Sequence, residues 1–451
     1  MSTFVLGSTR SGKTSSTGRA LMQAWLDPPK KKRWFGKAQP IREPPGMIAL
    51  TVKVNEAENI ANTAHLAGRG LDVIGVTEGG EWTGDPLAAY FALPGSSPAA
   101  AAKLLAELSQ VISKTAGQSK EPFWDRSRER NLYYALTIVK AALGTVTFDD
   151  LYAFVTSLPY GPADLVEGGG YWKSPARVAA RLAGEKPDPQ GDIRRALHWQ
   201  CTEWPATQEK LRESYRQEML SVIFPMTQSP IAELLKGDSL HAGLAAAGHI
   251  VILDLPVLRY GAAGTLFQGL WGCVFDIANV QRNRHARVVL KWADEVQWLL
   301  MPEWSTKIAT VCSESNYYHV YMSQTLPTIW AALNGSKDQV ASLLSNSPLK
   351  VVHWTDCVET GEYVQKMLGM RKELMFGGGG STGGYDVVDD LMGQHKPMAN
   401  VSFSTQYQPV FRGEELRRFR RGGKECGFVC DALLTLAGAQ PRIVTVPQTL
   451  I

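Results

Sequence analysis

The chain has 451 residues, 44% of them hydrophobic and 20% charged, with a formal charge of +4. That is enough chain for a full core and two structural units, and the composition excludes a disordered, collagenous or disulfide-stapled protein. The mild basicity permits a nucleic-acid partner without arguing for one, because a nucleic-acid footprint is a cluster of charge rather than a small net excess.

Phe4-Val5-Leu6 reads as a short apolar strand, and Ser15 to Trp25 as a helical run. Between them Gly7-Ser8-Thr9-Arg10-Ser11-Gly12-Lys13-Thr14 is a G-x-x-x-x-G-K-[ST] loop in the setting its chemistry requires. The glycines let successive backbone N–H groups from Gly7 to Ser15 curl around one anion. The following helix adds the positive end of its dipole. Lys13 is placed to meet β- and γ-phosphates, and the Thr14 hydroxyl to hold Mg2+. The sequence therefore predicts a nucleoside-triphosphate site.

The first helix ends at Asp27-Pro28-Pro29, and Lys30-Lys31-Lys32-Arg33 reads as a solvated charge run. Met47–Lys53 is a strand, 54–68 a helix and 71–76 another strand, so strands and helices alternate as in a mostly parallel sheet. From about Pro98 to Leu235 the apolar spacing turns helical throughout, as in 100–112, 128–142 and 207–223. This predicts an all-α domain over 98–240, inserted into an α/β domain formed by 1–97 and 241–451.

The sheet resumes at His249–Pro256, and a helix follows over 262–281. Val288–Glu295 is a buried strand ending in Asp294-Glu295. Two acids there suit a second nucleotide element, with Asp294 towards Mg2+ and Glu295 polarising the attacking water. The bland reading is an acid pair that opens the next helix. Tyr318–Gln324 is a strand whose carboxyl end carries Gln324, at the edge where open α/β sheets bind ligands. Gln324 either orients the water and senses the γ-phosphate, or caps the helix before Pro327. Leu349–Trp354 is a strand, Val358–Leu368 a helix, and Gly377–Gly384 a flexible glycine-rich loop. Phe411–Arg421 is short and basic. Strands over 428–436 and 442–446, joined by Gly438-Ala439-Gln440-Pro441, predict a hairpin at the sheet edge.

The six cysteines (Cys201, Cys273, Cys312, Cys357, Cys426 and Cys430) form no C-x-x-C pair, so they predict buried free thiols rather than a zinc site or disulfides. No leader-like segment precedes the first strand and no run of ~18 apolar residues occurs, so no membrane-spanning segment is expected.

Taken in order, these stretches resemble the type IV secretion coupling proteins of the TraG/TraD kind, within the HerA/FtsK superfamily of motor ATPases. The resemblance rests on the phosphate loop, Phe123-Trp124, His249–Pro256, the Asp294-Glu295 strand, Met322-Ser323-Gln324-Thr325-Leu326 and Ser347–Leu368, with Glu414-Glu415-Leu416 near the end. It implies a RecA-like P-loop NTPase that hydrolyses ATP with Mg2+. Lys13, Asp294, Glu295 and Gln324 would be catalytic, with Thr14 and Asp294 on the metal. It further implies a hexameric ring that moves DNA, without saying whether single- or double-stranded, with a relaxase or secretion-channel subunits as partners, in the cytoplasm or held at the inner membrane face by a partner.

The family's usual membrane helices have no counterpart here, and Ser313 stands where a related arginine is often found. Arg259, Arg282, Arg284 and Arg287 are the candidates by chemistry to meet a γ-phosphate. Three other readings stay open: a cytosolic HerA/FtsK-type DNA translocase, a secretion ATPase acting on protein without DNA, and a non-motor NTP-binding scaffold.

Overall fold

The computed structural model describes residues 1–27, 30–31, 39–40, 43–115, 122–166, 170–380 and 399–448. Its apolar runs become strands buried on both faces. In β1 (Thr3–Leu6) Phe4 and Leu6 join the hydrophobic cluster on one face and Val5 that on the other. In β2 (Gly46–Leu50) Ile48 and Leu50 oppose Met47 and Ala49 in the same way. Strands apolar at every position belong to a parallel sheet covered by helices on both sides.

β3 (Val73–Val76), β4 (Ile250–Leu253), β5 (Val289–Ala293), β6 (Tyr317–Ser323) and β7 (Leu349–His353) complete the parallel part. β8 (Met370–Gly380) and β9 (Ala399–Pro409) pair antiparallel as a ribbon apart from the main sheet. β10 (Val429–Leu436) and β11 (Arg442–Pro447) form the expected hairpin, and β10 runs antiparallel to β7. The main sheet has nine strands in the order β11-β10-β7-β1-β6-β5-β2-β4-β3.

Helices Arg19–Leu26 and Glu56–Leu66 cover one face through Met22, Leu26, Ile60 and Ala64. Helix Val257–Val280 covers the other with Leu266, Leu270 and Phe275. It starts earlier than the apolar spacing suggests because its first turn precedes a break at Gly261, where φ is 54°.

Between β3 and β4 every described element is helical, from Pro86–Phe91 to Gly243–Ala247. The helical run thus begins before residue 98. Asp85 is the reason: one carboxylate oxygen accepts from Leu87 N (2.7 Å) and Ala88 N (3.1 Å), capping the first helix. The other accepts from Phe148 N at 2.8 Å, tying that helix to the one at Phe148–Thr156. The insertion also shares its core with the sheet, since Leu105, Phe154, Trp199 and Met219 belong to the cluster that holds Phe4 and Leu6.

Two local expectations change. Gly377–Gly380 are not loop but the end of β8, laddered to Ala399–Ser402; backbone pairing overrides the low strand propensity of glycine. Ser381–Gly384 lie outside the described residues, as do Lys32 and Arg33 of the basic run. All six cysteines are free, but only Cys273, Cys312 and Cys430 are buried; Cys201, Cys357 and Cys426 are half-buried. Among the described residues no helix is long and apolar enough to cross a membrane.

A polar network is buried between β5, β6 and helix Val257–Val280. Asp276 accepts from Lys291 Nζ (2.7 Å), Trp304 Nε1 (2.8 Å) and the Tyr317 hydroxyl (2.6 Å). His319 sits between the rings of Tyr317 and Tyr321, its Nε2 3.9 Å from Asp276 Oδ1. Burial outweighs the pull of Asp276 and lowers the imidazole from 6.5 to about 4. Between those values the unfolded chain binds a proton that the folded one refuses, so stability present above pH 6.5 is lost as pH falls towards 4. The melting temperature should drop across that window, and His319→Phe, which keeps a ring between the tyrosines, should flatten the drop. Equal slopes in thermal melts of both proteins would remove His319 from this account.

Candidate nucleotide site

Strand order brings three loops together. β6 lies between β1 and β5, with Leu6 beside Ser323 and Ala293 beside Tyr321. The segments after those strands are the glycine-rich loop, Gln324 and the Asp294-Glu295 pair. All line one cavity of about 600 Å3 at the carboxyl edge of the sheet, with Ser8–Ser15 along its floor.

The loop is anchored at its start. Gly7 N donates to the carbonyls of Ser323 (3.3 Å) and Gln324 (3.2 Å), and Ser8 N to that of Trp354 (3.1 Å). The Ser8 and Thr355 hydroxyls are 2.9 Å apart. Thr9 and Arg10 are exposed at the mouth, and Arg10 turns the chain with φ 62°. Gly12, at φ 81°, admits no side chain, because a Cβ there would lie 2.0 Å from Cys430 Sγ. The edge hairpin therefore packs directly beneath the loop, and beyond it Gln448 Nε2 donates to Ser15 Oγ at 3.0 Å. The helix opens with a wide turn, Gly18 N to Lys13 O at 2.7 Å, before Arg19–Leu26 continues as regular α-helix. Behind the loop His353 Nε2 hydrogen-bonds Thr17 Oγ1 at 2.9 Å.

The predicted site residues converge. Lys13 Nζ donates to Glu295 Oε1 at 3.2 Å, and Thr14 Oγ1 to Asp294 Oδ2 at 2.7 Å. Gln324 Nε2 donates to Glu295 Oε2 at 3.2 Å. Gln324 is thus turned towards the acid pair, while Thr325 begins the following helix. Asp294 Oδ1 accepts from Glu295 N at 2.9 Å, which holds Glu295 in a left-handed conformation with φ 52° and ψ 43°. Such backbone strain costs on the order of 1–3 kcal/mol and is retained where a side chain must be aimed. Thr14 Oγ1 and Asp294 Oδ2 are adjacent hard oxygen donors, the type that Mg2+ takes.

Three further residues join this set that no motif marks. Lys53 Nζ reaches Glu295 Oε1 (2.9 Å) and Asp294 Oδ2 (3.2 Å). Gln297 Nε2 donates to Glu295 Oε2 at 2.8 Å, and Gln297 Oε1 accepts from Ser323 Oγ at 2.8 Å. Glu56 Oε2 accepts from Val52 N (2.9 Å) and Lys53 N (3.2 Å). Lys53 and Glu56 follow a strand at the ligand-binding edge, and that position is the signal that could have found them.

Burial opposes the charge on Glu295, but the Lys13 and Lys53 ammoniums outweigh it and bring the carboxyl to about 2. Glu56 goes the other way: burial and the nearby Asp294 charge push it up to about 8. Among the described arginines only Arg10 and Arg19 line the cavity; Arg259, Arg282, Arg284 and Arg287 do not reach it.

No family model matches the chain, and no curated protein matches it. Solved structures do. An unbound form of the bacterial conjugative coupling protein TrwB matches with a TM-score of 0.58 at 12% identity, over 100% of this chain and 84% of that one. TrwB in complex with ADP and Mg2+, and TrwB in complex with the non-hydrolysable GTP analogue GDPNP, each match with a TM-score of 0.58 at 13% identity, over 100% and 86%. The chain has the fold of TrwB. The parallel sheet and helical insertion expected from the sequence are thus those of a RecA-like P-loop fold. At such low identity the likeness to TrwB is one of fold, and the chemistry has to come from this chain's own side chains.

Proposed function

We propose that the chain is a Mg2+-dependent ATPase that works as a ring-shaped motor on DNA, as a conjugative coupling protein would. The observation that carries the hydrolase reading is the meeting of Lys13, Thr14, Asp294, Glu295 and Gln324 within hydrogen-bonding distance around one cavity. In this reading Lys13 leaves Glu295 to meet the β- and γ-phosphates, while Thr14 and Asp294 hold Mg2+. The metal's contribution is to neutralise phosphate charge. Glu295, aimed by Gln297 and Gln324, accepts a proton from water as the water oxygen attacks the γ-phosphorus and the bond to the β-phosphate oxygen breaks. None of Arg259, Arg282, Arg284 and Arg287, the arginines suited to meet a γ-phosphate, lines the cavity, which supports a site completed by a neighbouring subunit in a ring.

The whole-chain likeness to TrwB supports the choice of a DNA motor over a scaffold. Several arginines near the carboxyl end, including Arg412, Arg417 and Arg418, are exposed, whereas Arg420 is paired with Asp431 at 2.7 Å and Arg421 lies over Trp354. A motor must grip any sequence, so its contacts should be to phosphates and release counterions. ATP turnover should rise with unrelated DNA sequences alike, and the rise should vanish as salt increases. The measurement is turnover with and without single- and double-stranded DNA at low and moderate salt. Absence of stimulation in assembled protein would shift the reading to an ATPase that exports protein.

A further inference from the structure

Lys53 lies three residues past the end of β2, at the same edge as the phosphate loop. Its ammonium is within 3.2 Å of both acids, yet its side chain is 45% exposed where those of Asp294 and Glu295 are 1% and 6% exposed. Lys13, which pairs with the same Glu295, is 7% exposed. A lysine that served only to neutralise the buried acids would gain most by being buried with them. Lys53 instead stands on the cavity wall, between the acid pair and the open space.

Its position is built. Glu56, buried, takes the backbone N–H groups of both Val52 and Lys53, so the chain carrying the ammonium is clamped. An ammonium has three N–H donors and the carboxylates take two, which leaves one for a ligand in the cavity. The arginines nearby are less well placed: Arg19 is spent on Asn59 Oδ1 at 3.0 Å, and Arg10 is exposed at the mouth.

We infer that Lys53 is a catalytic residue that donates a hydrogen bond to a γ-phosphoryl oxygen of the bound triphosphate. It stabilises the charge that spreads over those oxygens as the γ-phosphoryl group passes to water. The water proton goes to Glu295 and the leaving group is the diphosphate; Lys53 keeps its own protons throughout. This inference rests on the nucleotide reading above and adds a second lysine, from β2, to the one in the loop.

The test compares wild type with Lys53→Ala and Lys53→Arg for steady-state turnover and for affinity towards ADP and the non-hydrolysable triphosphate ADPNP. In Lys53→Ala kcat should fall by about 100-fold or more, the loss expected on removing one preorganised charge from the transition state. ADP affinity should stay within about twofold while ADPNP affinity falls about tenfold, so that the preference for three phosphates over two shrinks; each tenfold is one hydrogen-bonded contact of about 1.4 kcal/mol. Lys53→Arg should recover much of that preference. Should the alanine variant melt early, Lys53→Gln supplies the same readouts with a longer polar side chain. Turnover within about threefold of wild type would overturn the proposal. So would a loss of turnover with the triphosphate preference intact, which marks a residue that only positions the acids. Wild type that binds neither nucleotide would overturn the reading of the site itself, and with it this role.

Discussion

Glu295→Gln should lower ATP turnover by at least about 100-fold, the weight of a general base, while binding of ADPNP becomes tighter. Both halves follow from one geometry. Glu295 is the carboxylate aimed by Gln297 and Gln324, so its loss removes the proton acceptor with little change in volume. It also pairs with Lys13, 3.2 Å away. A triphosphate must break that buried ion pair to gain the lysine, and it must then sit beside a carboxylate of like charge. The amide removes both costs. Single-turnover kinetics and ADPNP titration of the variant provide the check. Turnover within tenfold of wild type would reduce Glu295 to an acid at the start of a turn, and weaker ADPNP binding would reject the competition for Lys13.

Lys13→Ala should abolish triphosphate binding, with affinity lower by about 100-fold or more. The backbone cradle remains, but the point charge for the β/γ-phosphates is gone. Removing one partner of a buried pair is ordinarily costly, about 3–5 kcal/mol, because a charge is stranded. Here Glu295 keeps Lys53 at 2.9 Å, Gln297 at 2.8 Å and Gln324 at 3.2 Å, so the variant should fold and the loss can be read as one of binding. Calorimetric titration with ADPNP, after a melt shows the variant folded, decides it. Wild-type affinity would remove Lys13 from the site. The variant also tests the ring: mixed with wild type it should depress turnover below the simple average, because active sites shared between subunits lose function together. Activity strictly proportional to the wild-type fraction would argue for independent subunits.

The legible parts of the fold were those whose signal is local. β1 and the loop after it declare themselves because strand, glycines, lysine and threonine are contiguous and each is needed for the same anion. The buried strands before Asp294 and Gln324 are legible as apolar runs, and their polar ends follow from the rule that ligands sit at the carboxyl edge. The helical insertion shows in its period. The described helices begin earlier, at Pro86, because Asp85 caps a short helix that the apolar spacing does not announce.

The amino-acid sequence by itself determined the glycine-rich loop with Lys13 and Thr14, the acid pair and the strand classes. These depend on neighbours within a few residues, through backbone conformation and the two-residue period of a strand. Tertiary structure alone decided that β6 stands between β1 and β5, which sets Gln324 against Glu295 across 29 residues of chain. It alone placed Cys430 under Gly12, ordered Gly377–Gly380 in a ribbon, and carried Lys53 to the acids from more than 240 residues away. Strand order is settled by how helices cover both faces of the sheet, a balance of burial over the whole core. The strand before Lys53 puts it at the ligand-binding edge, but its pairing with the acids cannot be read there, because the attraction between an ammonium and two carboxylates acts through space and leaves no mark on sequence spacing.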